Sequence, residues 1–234
     1  MGLAVAGVTV LALVLVVAVV VVIGGGDDDA DLTASEMRGA LLTEADVDGE
    51  HREVPNRDDE DDEFRSEDLD ASDECLQLFR EGTANGFSLA VPSEDQPMAE
   101  VRFEAPDDAL VQHSITTDAG DPLAAIRALT GACGEVTFDV DGAAGRFGYS
   151  LGEPVVDVGD DSLTLIIDYE ITEPARSAVQ LLDVLWVRSG LLSQLSVSTG
   201  SRDDGVLTAE DRALLVDLVA VADERLVEVI DEDG

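Results

Sequence analysis

The pentapeptide GYSLG, residues 148–152, matches the G-x-S-x-G pattern of the serine-hydrolase nucleophile elbow, with Ser150 as the candidate nucleophile. An elbow needs a helix directly after the serine, because the N–H groups of that helix contribute to the oxyanion hole. The following residues, EPVVDVGDDS, contain a proline and turn residues and show no helical periodicity. The two histidines also precede the serine, whereas this hydrolase type places its histidine after it. We therefore predict that Ser150 lies on a strand, that Gly148 suits a bulge or a close backbone contact, and that the chain is not an enzyme.

Two copies of DVDG, at residues 46–49 and 139–142, invite a calcium-binding interpretation. In each loop, the position that should supply a bidentate acid falls on Pro55 or Gly148, neither of which has a carboxylate. His51 and His113 have no histidine or cysteine at zinc spacing, so we expect both on the solvated surface. We predict no catalytic, metal or cofactor-binding residues, while loose cation binding by the acidic loop stays open.

The charge balance excludes one class of partner. The 234 residues contain 52 acidic and 13 basic residues, for a formal net charge of −39. Such a field repels phosphate backbones, so nucleic acid is not an expected partner. Solubility or adaptation to a salty medium explains this acidity better than cation storage does. Because 45% of the residues are hydrophobic, most of the chain is expected to fold.

The segment 2–23 contains no charge and no proline over 22 residues. As a helix it would be about 33 Å long, enough to cross a hydrocarbon core of about 30 Å. We interpret it as an uncleaved transmembrane anchor, the single membrane span of the chain, and a cleaved secretory signal is the alternative. No arginine or lysine precedes it, so either the N-terminal amine stays inside or the true start lies upstream. The predicted location is the cell membrane, with the C-terminal domain outside the cytoplasm.

The only cysteines, Cys75 and Cys133, both follow the anchor. An even number of cysteines is consistent with one disulfide bond in an oxidising compartment. Two buried free thiols are the alternative. We predict that the two cysteines are bonded.

The remaining sequence predicts a flexible spacer at 24–32 and a domain at 33–230 with an acidic loop at about 44–74. A capping box at Thr33 begins a short helix, and further helices are predicted at 122–133 and 208–230. Residues 163–171 alternate as a half-buried strand, and short turns join several other strands. The predicted fold is α+β, an antiparallel sheet flanked by helices and preceded by one N-terminal transmembrane helix. Such a sheet leaves one concave side for a ligand unless helices cover both faces.

Several segments in order carry a family resemblance: LLTEADVDG, then Cys75 with ANGFSLAV, then GACGEVTFDVDG, LTLIIDYE and LLDVLWVRSGLLSQLSVS, then an amphipathic helix. Over roughly residues 32 to 230 the chain resembles actinobacterial extracytoplasmic sensor-like domains. These include the extracellular sensor domain of some mycobacterial serine/threonine kinases and related lipoproteins. The resemblance implies that Cys75 and Cys133 match one bridge of that kinase domain, whereas its second bridge is absent here.

The resemblance implies a binding or sensing role outside the cell. We therefore expect a membrane-anchored extracytoplasmic ligand-binding or sensor-like domain whose partner is an unidentified extracytoplasmic ligand or envelope protein. The alternative is a structural acidic cell-envelope protein without a small-molecule ligand. A buried cleft with a few polar groups would favour the first interpretation.

Overall fold

The computed structural model describes residues 32–47, 51–55, 68–80, 97–106, 109–117, 121–140, 143–173, 176–199 and 205–233. This part of the chain is α+β, with helices flanking one antiparallel sheet, which confirms the predicted fold class. The predicted anchor at 2–23 lies outside the described residues. No helix among the described residues combines the length and the apolar character that a membrane crossing requires.

The sheet contains nine strands among the described residues, and each neighbouring pair is antiparallel. Their order across the sheet is β1-β3-β4-β9-β8-β7-β6-β5-β2. The strands are β1 (Arg52–Val54), β2 (Leu69–Asp70), β3 (Met98–Glu104), β4 (Leu110–Thr117), β5 (Val136–Val140), β6 (Ala143–Leu151), β7 (Asp161–Glu173), β8 (Ser177–Arg188) and β9 (Leu191–Ser198). The helices are α1 (Ala34–Ala40), α2 (Asp73–Arg80), α3 (Pro122–Ala132) and α4 (Ala209–Asp233).

Local side-chain hydrogen bonds explain where the first and last helices begin. The Thr33 N–H donates to the Glu36 carboxylate at 2.7 Å, and the Glu36 N–H donates back to the Thr33 hydroxyl at 3.3 Å. The same reciprocal pair joins Thr208 and Asp211 at the start of α4, at 2.7 and 3.2 Å. Each pair satisfies N–H groups that a helix terminus otherwise leaves unbonded. Both N-termini follow the sequence prediction.

Strands β8 and β9 meet in a tight turn at Ser189 and Gly190. Their φ angles are 48° and 75°, and positive values at both positions are typical of a type I′ hairpin turn. This turn confirms the predicted break between β8 and β9. The predicted β5–β6 hairpin is also confirmed, with Val140 opposite Ala143.

The helices form two layers on opposite faces of the sheet and over different halves of it. Helices α1 and α4 pack on β3, β4, β9 and β8, where the buried residues of β8 are Leu182, Val184 and Trp186. Helices α2 and α3 pack mainly on β5, β6 and β7, in a second core that also takes Leu185 of β8. Because alternate residues of a strand point to opposite faces, β8 contributes to both cores. Each helical layer therefore covers only part of the sheet face on which it packs, and residues other than these helices border the rest.

Two sequence interpretations need correction. The stretch 44–74, predicted as an acidic loop, includes β1 and β2, which lie at the two edges of the sheet. Strands of three and two residues gain their hydrogen bonds from one neighbour and need no apolar pattern, so periodicity does not reveal them. The sequence analysis also did not identify β4, an internal strand paired with both β3 and β9.

The disulfide bond Cys75–Cys133 is present and joins α2 to the residue that ends α3. Both cysteines are fully buried in the core of α2, α3 and the β5–β7 half of the sheet. The bond therefore holds α2 against the end of α3 through two cysteines that are 58 residues apart in the chain. The alternative of two free thiols does not apply, since the described residues contain no free cysteine.

We expect reduction of this bond to lower the stability of the domain strongly. Closing a loop of this length contributes about 4 kcal/mol on the chain-entropy model, compared with roughly 5–15 kcal/mol for a whole domain. Urea unfolding of the full chain in nonionic detergent, with and without reductant, measures the difference. Both samples contain the same side chains, so no cavity complicates the comparison. An unchanged midpoint in protein shown by peptide mapping to be reduced would contradict the expectation.

Candidate functional site

A groove of about 380 Å³ lies over β6, β7 and the start of β8. Strand alternation places its polar side chains on the face that α1 and α4 cover elsewhere, because Ile166 and Leu182 on the same face contact the α1–α4 core. Residues Gly205 and Val206, which precede α4, form one wall, and residues 134–135, which follow α3, form another. The polar side chains are Arg146 and Ser150 of β6, Asp168 and Glu170 of β7, Gln180 of β8, and Glu135.

Gly148 lies in the groove directly opposite Asp168 in the β6–β7 ladder. A Cβ atom on Gly148 would lie 2.2 Å from the carbonyl oxygen of Gly134, so no side chain fits there without a backbone shift. The next residue, Tyr149, donates its N–H to the carbonyl of Cys133 at 3.1 Å. The end of α3 is therefore fixed against β6. The close backbone contact predicted for Gly148 is confirmed.

The charged groups of the groove are mostly paired with one another. Arg146 binds Glu170 through Nε at 2.9 Å and through Nη2 at 2.8 Å, and its Nη1 lies 3.6 Å from Glu135. Arg176 occupies the other oxygen of Glu170 at 2.8 Å. Hydrogen bonding to Arg146 is the largest of the effects that lower the pKa of Glu170. Glu170 is thus an ionised anchor for both arginines.

Gln180 connects the strands to the segment before α4. Its amide nitrogen donates to Asp168 Oδ1 at 2.7 Å, and its amide oxygen accepts the N–H of Leu207 at 3.3 Å. Asp168 has no arginine partner among the described residues. Its second carboxylate oxygen and the Ser150 hydroxyl make no hydrogen bond to a described residue.

Ser150 lies on β6, is exposed, and is paired in the ladder with Ile166. Residues 152–158, which follow, are neither helix nor strand, so the helix that a nucleophile elbow requires is absent at this place. His113 is on β4, four strand spacings away, or roughly 19 Å. The structure therefore brings no histidine of the described sheet to Ser150.

Both described histidines are buried, which corrects the prediction that they are solvated. His51 is 7% exposed and His113 is fully buried, stacked on Trp186 with ring centroids 6.1 Å apart. Burial, then the Arg225 charge, lowers the pKa of His113 to about 3, so the ring is neutral. Its Nδ1 accepts the N–H of Leu42 at 3.3 Å, which leaves Nε2 to donate to Ser193 at 3.0 Å. His113 lies on the inward face of β4, and missing that strand led to the error.

Each DVDG copy is described only in part, because residues 48–49 and 141–142 lie outside the described residues. Asp46 of the first copy accepts hydrogen bonds from the N–H and the hydroxyl of Thr43, both at 2.7 Å. It also forms an ion pair with Arg225, whose Nη2 lies 2.7 Å from Asp46 Oδ2. Arg225 of α4 also donates to the carbonyl of Leu41 at 2.9 Å. The Asp46–Arg225 pair therefore ties the segment after α1 to α4. No group of three or more potential metal ligands occurs among the described residues.

Asp183 is a buried acid that the sequence analysis missed. It lies on β8 between Leu165 and Ser196, on the face opposite the groove, and is 1% exposed. Gln194 donates to its Oδ2 at 3.0 Å, whereas its Oδ1 has no hydrogen-bond partner. Burial raises the pKa of Asp183 to about 7, although hydrogen bonds from Ser196 and Gln194 act to lower it. An acid inside the apolar run LLDVL was the available sequence signal.

The comparisons with known proteins concern the fold. The structure is similar to the crystal structure of the extracellular domain of PknH from Mycobacterium tuberculosis, with a TM-score of 0.52, 11% identity, and coverage of 82% of this chain and 97% of that chain. It also aligns with the Rv0999 ortholog from Mycobacterium smegmatis at 15% identity, covering 80% of this chain and 96% of that chain, but a TM-score of 0.40 is too low to establish a shared fold. No protein-family model matches the sequence, and no curated protein does. The resemblance to extracytoplasmic sensor-like domains is thereby confirmed for the fold.

We expect Asp183→Asn to stabilise the domain at pH 8 and to have little effect near pH 4. The folded-state pKa of about 7 lies above the usual 3.8, so the unfolded chain loses its proton first and stability falls as pH rises between these values. The asparagine cannot ionise, and its amide oxygen can still accept from Gln194. The gain above pH 7 should reach a few kcal/mol, about 1.4 kcal/mol for each pH unit between the two pKa values.

Urea unfolding of the full chain at several pH values measures this gain. The exposed Asp217→Asn on α4 is the matched control, because it removes the same charge from a chain with a large negative excess. Equal stabilisation by the two variants at pH 8 would mean that the effect is general charge repulsion and not the burial of Asp183.

Proposed function

We propose that the chain is an extracytoplasmic sensor-like domain, anchored in the membrane by residues 2–23, that binds a small ligand in the groove over β6–β8. The observation that carries this proposal is the fold, which it shares with the extracellular domain of PknH across nearly the whole of that domain. Other proteins with the same fold can differ in function, so the site must supply the rest of the argument.

Two features support the extracytoplasmic location. The Cys75–Cys133 bond is of the kind that persists in oxidising compartments and is rare in the cytosol. The segment 2–23 has the length and the apolar composition of a membrane-spanning helix. Both features support a folded domain on the outer side of the membrane.

The groove supports the ligand-binding part of the proposal. Its volume of about 380 Å³ is within the usual range of small-molecule sites, roughly 300–1,000 Å³. It combines fixed polar groups with a backbone wall at Gly134, where an added Cβ would meet no atom within 4 Å. The proposed role is non-enzymatic, since Ser150 has no adjacent base and the groove has no group of metal ligands among the described residues.

The net charge of −39 favours a second candidate function, a structural acidic protein of the cell envelope. Such a protein needs only a solvated, self-repelling surface. It would not need the groove, and substitutions there would have no effect beyond folding. Binding measurements at the groove therefore separate the two candidates.

We expect a cysteine-free reporter that requires export, such as a β-lactamase, to be active when fused after Gly234. Deletion of residues 2–23 should abolish export and retain the reporter in the cytoplasm. The full fusion should also remain in the membrane fraction after a high-salt wash, whereas a cleaved signal would release it. Cytoplasmic reporter activity of the full fusion would contradict the proposed orientation.

We expect a fluorophosphonate probe not to label Ser150. Among the described residues, the hydroxyl makes no hydrogen bond to a base that could remove its proton, so it should react no faster than an ordinary surface serine. The probe is incubated with the full chain and with Ser150→Ala, and labelling is followed by intact-mass measurement. Labelling of the natural chain that is lost in Ser150→Ala would reveal an activated nucleophile and overturn the non-enzymatic assignment.

A further inference from the structure

We propose that the ionisation of Asp183, on the face of the sheet opposite the groove, changes the shape of the groove and makes its ligand binding sensitive to pH. This inference rests on the proposed function, because it assigns a form of regulation to the same ligand site. Asp183 makes no contact with the ligand in this proposal. It acts through β6, β8 and the residues that follow α3.

The surroundings of Asp183 suit a neutral acid better than a carboxylate. The side chain is 1% exposed and lies between Leu165 of β7 and Ser196 of β9. Its Oδ2 accepts the amide of Gln194 at 3.0 Å, and the same amide nitrogen lies 3.4 Å from the Ser196 hydroxyl. Its Oδ1 has no hydrogen-bond partner. A carboxylate at this place must gain donors or water, because a buried charge with an unpaired oxygen is costly.

The groups that face Asp183 do not supply a compensating positive charge. The adjacent positions of β7, β8 and β9 on this face carry no titratable side chain, and α2 and α3 contribute apolar residues and the bonded cysteines. Arg102, Glu100 and Glu104 of β3 share the face, three strand spacings or roughly 14 Å away. Tyr149 of β6 is the nearer titratable group, and burial, then the charge of Asp183, raises the pKa of this phenol. The phenol therefore stays neutral when Asp183 ionises.

Tyr149 connects Asp183 to the groove. Its side chain is buried in the core of α2 and α3, on the Asp183 side of the sheet, whereas the residue also borders the groove. Its N–H donates to the carbonyl of Cys133 at 3.1 Å, and the preceding residue, Gly148, packs against the backbone of Gly134. A displacement of Tyr149 is therefore passed to the groove wall after α3, since close-packed groups cannot move independently.

Strand β8 is the second connection. Gln180 lies in the groove, three residues before Asp183 on the same strand. Its side chain binds Asp168 at 2.7 Å and accepts the N–H of Leu207 at 3.3 Å. A shift of β8 at Asp183 therefore reaches both β7 and the segment before α4, which are two further sides of the groove.

The sign of the response follows from the pKa of Asp183, which burial raises to about 7. Below pH 7 the acid is neutral and its apolar neighbours stay packed around it. Above pH 7 the folded chain holds a carboxylate, which attracts water and the donors of Gln194 and Ser196. His113 does not contribute in this range, because its pKa is lowered to about 3. A ligand that fits the acidic form of the groove is therefore bound more weakly as the pH rises through 7.

A pH titration of the full chain in nonionic detergent, from about pH 5 to about pH 9 at fixed ionic strength, tests this coupling without a ligand. Carbon-13 NMR of labelled aspartate carboxyl groups reports the ionisation of Asp183. The amide signals of Gly148 and Ser150 report the groove. We expect one carboxyl carbon to titrate near pH 7 and both amide signals to shift with the same midpoint. Asp183→Asn should abolish the carboxyl titration and the amide shifts together.

Asp217→Asn is the matched control, since it removes one exposed acid of α4 outside the groove. It should leave both titrations unchanged, and urea unfolding verifies that both variants fold. Amide shifts that persist in Asp183→Asn would assign the response to another titrating group, such as His51, and overturn the proposal. Equal loss of the shifts in Asp217→Asn would overturn it in favour of a general charge effect.

The natural chain alone also contradicts the proposal under either of two results. One is that no aspartate carboxyl carbon titrates near pH 7, so that Asp183 does not change its charge in this range. The other is that one carbon titrates there while the amide signals of Gly148 and Ser150 do not follow. Either result removes the pH coupling only, because binding at the groove and export of the domain are tested by separate measurements.

Discussion

The β8–β9 hairpin is the element on which both halves of the molecule depend, because it is buried on both faces. In β8, Leu182, Val184 and Trp186 contact the core of α1 and α4, while Leu185 contacts the core of α2 and α3. A shift of one residue in the register of β8 would exchange these two sets and expose both cores. The tight turn at Ser189 and Gly190 fixes that register by setting the length of the connection. The two helical layers are therefore coupled through one hairpin, although they do not share a face.

The two helical layers cover different halves of the sheet, and this offset explains the positions of the groove and of Asp183. The α1–α4 layer ends near Leu207, and the groove lies beside it over β6–β8 on the same face. On the opposite face, the α2–α3 core reaches Leu192 on β9, and the polar residues Gln194 and Ser196 follow on that strand. On β8, Leu181 and Leu185 on either side of Asp183 both contact this core. Asp183 lies at this boundary, where apolar neighbours remove water but few donors replace it. Its raised pKa follows from that position, not from a nearby charge.

The sequence predicted the elements whose signals are local or periodic, and it failed where burial depends on distant parts of the chain. Capping boxes at Thr33 and Thr208 and the alternation along β7 were sufficient for their elements. Strand β4 reads LVQHSITT, with a histidine at an inward position, so its pattern looked half polar. His113 is accepted there only because Leu42 and Ser193, 71 and 80 residues away in the chain, satisfy its ring nitrogens. The groove was likewise invisible, because its residues become neighbours only through the β6–β7–β8 register.

The disulfide bond and the groove are connected by three consecutive residues. Cys133 is bonded to Cys75 and accepts the N–H of Tyr149, and its neighbour Gly134 lies against Gly148 in the groove. The third residue, Glu135, reaches toward Arg146 from the groove wall. The bond thus acts on the unfolded chain by shortening its loop and on the folded chain by fixing the end of α3 against β6. The disulfide bond, which persists in an oxidising compartment, therefore makes one wall of the groove rigid as well as stabilising the domain. This connects the location that we propose to the site that we propose.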